Sequence, residues 1–139
     1  MRRGLAVIFA ALAGLVLVAV VAQFFLAGAG LFGAVSGYQS HEIVGMLIAT
    51  ASIVLLLLAI FGRFGRAFII HAAALLVLLL VQIALIESDQ PWLEALHPVN
   101  ALLILGASAQ LAQRAWAWVR RPGPVAASVA ERVLRERGF

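Results

Sequence analysis

Four stretches of this chain, at about 5–27, 41–61, 67–87 and 98–119, run with scarcely a charge. At 1.5 Å of rise per residue, each is long enough as a helix to cross the ~30 Å of hydrocarbon in a bilayer. Hydrocarbon offers no partner to a bare N–H or C=O, so a segment that crosses it must satisfy its backbone internally. The predicted fold class is therefore all-α: an integral membrane four-helix bundle over residues 1–121. Composition agrees. Of 139 residues, 65% are hydrophobic and 12% charged, more apolar surface than a water-soluble core of that size would hide. With no cysteine, a disulfide, a thiolate ligand and an iron–sulfur cluster are all excluded.

The breaks between the spans carry the orientation. GRFGR, between the second and third, holds Arg63 and Arg66, while ESDQPWLEA, between the third and fourth, holds Glu87, Asp89 and Glu94. Together with Arg2 and Arg3 before the first span and Arg114, Arg120 and Arg121 at the close of the fourth, the arginines fall on one side of a four-span path. By the positive-inside rule both termini are expected in the cytoplasm. Trp116 and Trp118 suit the inner aromatic belt and Trp92 the outer one. The formal charge of +4 belongs to these flanks, so it sets topology and makes no nucleic-acid surface. A cleaved leader over residues 1–30 is the competing account, but its apolar run exceeds the roughly 7–15 residues of a secretory core. Beyond the fourth span, Pro122 and Pro124 stop the helix. In the tail at 122–139, Val125, Val129 and Val133 recur beside Ala126, Ala130 and Leu134. That spacing predicts an amphipathic cytoplasmic helix on the inner leaflet or on a partner, a frayed tail being the plain alternative.

The two halves resemble each other. Span one closes on VAQFFL and span three on LVQIAL; span two opens on HEIVGMLI and span four on HPVNALLI. Each half reads glutamine, loop, histidine. After each histidine a small residue follows at the fourth place (Gly45, Ala101) and a serine at the eleventh (Ser52, Ser108), steps that return to one helix face. A two-helix repeat of this kind implies a pseudo-two-fold axis along the membrane normal.

Topology then brings Gln23, Gln82, His41 and His97 to nearly one depth in the outer third of the bilayer, with Asn100 close by. Lipid gives polar side chains no partner, so these groups are expected to face the bundle interior. Two facing histidines over small residues leave room for a planar cofactor, with both rings on one iron. The plain alternative is ordinary hydrogen bonding between spans or at a headgroup. His71, near the cytoplasmic end of span three, has no second ligand at its depth and reads as a packed or interfacial residue. No metal triad of histidine and carboxylate, no phosphate loop and no nucleophile beside a base is present, so no catalytic residue is expected.

QFFLAGAG, His41 opening span two and HPVNALLIL opening span four resemble a family of small bacterial four-span membrane proteins, domain of unknown function 6220, over roughly residues 5–119. More distantly the layout is similar to one four-helix half of haem A synthase, which implies axial-ligand roles for His41 and His97 alone. Glu42 follows the histidine here, where the synthase has a glutamate before it, so the synthase reaction does not carry over. The expected function is a multi-pass protein of the bacterial inner membrane binding one haem b between spans two and four, for electron transfer or haem handling. The expected site comprises His41, His97, Gly45, Ala101, Gln23, Gln82, Ser52, Ser108 and Asn100. No basic residue lies in the outer loops to pair with haem propionates, which leaves Tyr38, Gln39, Ser40 or water. A cofactor-free scaffold and a quinone site remain as alternatives. The expected partners are the lipid bilayer and either a membrane redox protein or a second copy.

Overall fold

A computed structural model describes residues 2–34, 38–121 and 136. Among them the secondary structure is wholly helical: α1 (Arg2–Leu31), α2 (Gln39–Phe61), α3 (Arg66–Ile86), α4 (Pro91–Glu94) and α5 (His97–Val119). α1, α2, α3 and the segment spanning α4 and α5 are each long and apolar enough to cross a membrane. The amphipathic helix expected in the tail falls, apart from Glu136, outside the described residues.

Local chemistry explains where the helices stop. α1 runs past residue 27 although Gly28 and Gly30 are poor helix formers, with Ala29 buried in this last turn. It ends at Gly33, whose φ of +70° lets the Ala34 N–H turn back to the Ala29 carbonyl. Arg63 takes the same left-handed place after α2, at φ +52°, and the Phe64 N–H returns to Ala59. The short α4 is an extra turn in the loop, opened by Pro91 at a first-turn position where its missing N–H costs nothing.

The four long helices form a ring. α1 packs on α2 and α5, and α3 packs on the same two, so α2 and α5 stand at opposite corners. Buried positions recur at three- and four-residue steps: Phe9, Ala13, Val16 and Val20 on α1; Ile48, Ser52, Leu55 and Ala59 on α2; Ala72, Leu75 and Leu79 on α3; Ile104, Ser108, Leu111 and Ala115 on α5. Leu15, Leu47, Val77, Leu102 and Leu103 instead point outward and are exposed. So much exposed apolar surface needs lipid around it.

The two ends differ. At one, Phe9 meets Phe64 and Phe68 edge-on at 5.3 and 5.7 Å, and Trp118 lies 5.5 Å from Phe64. Arg63, Arg66 and Arg120 belong to this end, Arg120 lying 6.0 Å above the Trp116 ring. Glu42, Glu87, Asp89 and Glu94 belong to the other end, where the histidines are.

Candidate functional site

His41 lies in the first turn of α2 and His97 is the first residue of α5. Their ring centroids stand 6.3 Å apart, with the planes inclined at 49°. Since α2 and α5 occupy opposite corners, the two imidazoles meet across the middle of the ring of helices. Each is oriented by the preceding long helix. His41 Nδ1 is 3.2 Å from the Gln23 carbonyl of α1, and His97 Nδ1 is 3.3 Å from the Gln82 carbonyl of α3. A carbonyl only accepts, so each Nδ1 donates, and a ring in its neutral form keeps its lone pair at Nε2. Neither Nε2 has a hydrogen-bond partner among the described residues. The α1–α2 and α3–α5 pairs thus make the same glutamine-to-histidine contact, which gives the sequence repeat a structural counterpart.

Around this shared contact the halves diverge. Gln23 Nε2 donates to the His41 carbonyl at 2.9 Å, in space that Gly45 leaves open. A Cβ at Gly45 would stand 2.9 Å from that nitrogen. In the other half Asn100 Nδ2 donates to the Leu78 carbonyl at 2.9 Å and to Gln82 Oε1 at 2.6 Å. Val44 holds the matching place after His41 and has nothing to donate, while Gln23 Oε1 is buried without a partner.

The structure therefore gathers Gln23, His41, Gly45, Gln82, His97 and Asn100 into one polar collar, with Ala101 half-buried one turn below His97. Ser52 and Ser108 are not part of it. Eleven residues along a helix is about 16 Å, out of reach of a group held by the histidines. Both serines are core residues, 0% and 1% exposed, and donate back to their own helices at Ile48 and Leu105. Their face was legible in the spacing, but depth removes them. The Gln23 and Gln82 carbonyls had no such signal, because a backbone role leaves no mark on residue type. His71 stands at the arginine end with Nδ1 donating to the Ala67 carbonyl of its own helix at 2.7 Å. No group of three or more histidine, cysteine or acidic side chains suited to a metal ion occurs among the described residues.

Two imidazoles sharing one metal atom, with metal–nitrogen bonds of ~2 Å, place their ring centroids about 6 Å apart. The observed 6.3 Å is of that size. An Nδ1–H donated to a carbonyl is also the usual support of a metal-bound histidine, since it fixes the tautomer and raises the basicity of Nε2. His41 and His97 are therefore the residues that would hold a haem iron if one were bound. The rim is less accommodating: the charged side chains described at this end are acidic, so propionates would rely on Tyr38, Gln39, Ser40 or water.

The collar itself is testable. Asn100→Leu and Gln82→Leu together should cost less than the sum of the two single changes, with a coupling of about 0.6–2 kcal/mol. Reversible unfolding in mixed micelles reads this, and additive costs would remove the 2.6 Å bond from the energetics.

A ring of four apolar helices with a polar collar at one end defines a multi-pass helical membrane protein. Residues 23–89 match the model of a family of unknown function, DUF6220. The match takes in Gln23, His41 and Gln82 and ends before His97, so it is shorter than the stretch over which the sequence resembles that family. No curated protein and no solved structure matches the chain.

Proposed function

We propose that this membrane protein holds one b-type haem between His41 and His97 and serves electron transfer or haem handling. The supporting observation is the paired tautomer: two Nε2 lone pairs on opposite helices, with ring centroids 6.3 Å apart. With imidazole on both faces, such a group passes single electrons and leaves no open position for oxygen. The chain's own part is positional. The Gln23 and Gln82 carbonyls hold the protons at Nδ1, and Asn100 fixes Gln82 against α5. The same tautomer disfavours a quinone, whose carbonyls need donors where both Nε2 atoms accept. One observation favours a cofactor-free scaffold instead: the collar's hydrogen bonds between helices form without any ligand. The visible absorption spectrum of detergent-purified protein incubated with haem separates these readings. A low-spin spectrum is expected, and a protein that takes up no haem would leave the scaffold.

We further infer that both termini lie in the cytoplasm of a bacterial cell; the segregation of arginine from acidic residues supports this reading. Because the chain has no cysteine, Ser88→Cys supplies a single reporter in the α3–α4 loop. A membrane-impermeant maleimide should label it in intact spheroplasts. Labelling only after lysis would invert the topology.

A further inference from the structure

On the outside of the bundle, α3 and α5 enclose a groove of about 430 Å³ whose lining includes His71, Ala74, Leu103, Gly106 and Gln110. Gln110 lies near the middle of α5, is exposed, and makes no hydrogen bond with any described residue. Midway along a span its surroundings are hydrocarbon, which satisfies neither the N–H groups nor the carbonyl of an amide. One turn earlier, Gly106 has nothing within 4 Å of the place a Cβ would occupy. No neighbour inside the chain requires a glycine there. On an outer face, a glycine allows another helix to approach its backbone closely. His71 adds an Nε2 that accepts, since its Nδ1 is committed to Ala67. The lipid-facing Thr50 of α2 differs, because its hydroxyl is already satisfied by the Met46 carbonyl at 2.9 Å.

We propose that a second copy of this chain docks on this face, α5 against α5, with the two Gln110 amides hydrogen-bonded to each other beside the Gly106 gap. An amide is donor and acceptor at once, so it is self-complementary across a two-fold axis: each Nε2–H donates to the other Oε1. An axis along the membrane normal also keeps both copies at one depth and in one orientation, as a shared topology requires. A lipid acyl chain could fill the space at Gly106 but would leave the Gln110 amide without a partner. This inference is independent of the haem reading.

Cysteine cross-linking of the full chain in proteoliposomes tests it. Leu103→Cys, on the groove, should give a dimer-sized band on mild oxidation, while Leu57→Cys, exposed on α2, should not. Adding Gln110→Leu to Leu103→Cys should lower the association constant about tenfold, the scale of a polar pair between membrane helices. Gly106→Leu should reduce cross-linking too while the monomer stays folded, because a Cβ there meets no atom within 4 Å and the residue faces outward. Absence of a Leu103→Cys dimer, equal cross-linking at both faces, or a dimer indifferent to Gln110→Leu would overturn the proposal.

Discussion

Alanine at either His41 or His97 is expected to abolish the low-spin spectrum of the haem-loaded protein. Low spin requires two strong-field ligands, and one imidazole with water or nothing opposite it would leave the iron high spin. The effect should therefore be qualitative and equal in kind for the two residues, whose rings meet across the diagonal of the bundle. Loss of fold is not expected to mimic it. The bonds from the rings to Gln23 and Gln82, at 3.2 and 3.3 Å, are at the long limit for N–H···O and contribute little to stability. His71→Ala is the control, since that ring stands at the arginine end and its Nδ1 hydrogen-bonds to its own helix. If His71→Ala removes the spectrum and His97→Ala does not, the axial pairing is wrong.

Gly45→Leu should destabilise the bundle by about 2–4 kcal/mol, combining overpacking with the loss of a hydrogen bond. The mechanism is specific. A Cβ at Gly45 stands 2.9 Å from Gln23 Nε2, so a branched side chain displaces the amide and breaks its bond to the His41 carbonyl. Gly45→Ala should cost less, because the obstacle is the far end of a flexible side chain and can yield by a few tenths of an ångström. Gly28→Leu is the comparison, for a Cβ there meets nothing within 4 Å. Equal unfolding free energies for Gly45→Leu and Gly28→Leu would show that the Gln23 tie contributes nothing.

The bundle was legible in the sequence because hydrocarbon permits so few solutions: an apolar run of that length is a helix, and four of them pack together. Helix ends were less so. The Ala27 to Gly30 stretch reads as a loop by its glycines, yet it stays helical with Ala29 buried, and a glycine able to take positive φ marks the real stop at Gly33. At the site, the Gln23, His41, Gln82 and His97 repeat was visible from spacing, and the structure gives each pair the same contact. The inequality of the halves was hidden. Asn100 appears in the sequence as a neighbour of His97, but its bonds to Leu78 and Gln82 depend on how α3 lies against α5. Ser52 and Ser108 show the opposite error, a correct face combined with the wrong depth.

The collar has a consequence for how the helices are held lengthwise. Every hydrogen bond between the long helices of the described structure lies at the histidine end. Further along, contact is made by alanine, valine, leucine and phenylalanine, for which lipid tails are nearly as good company. There one helix is held against another by the fit of packed side chains and not by polar contact. Sliding by a single turn, about 5.4 Å, would break every bond the moved helix makes in the collar, and no second tier of partners waits above or below to receive them. Phenyl and indole rings can trade neighbours over small displacements, whereas a donor and an acceptor either meet or do not. The axial register within each pair, α1 with α2 and α3 with α5, is therefore set at one end, as two sheets of paper are held by a single clip, while among the described residues the pairs meet through packing alone.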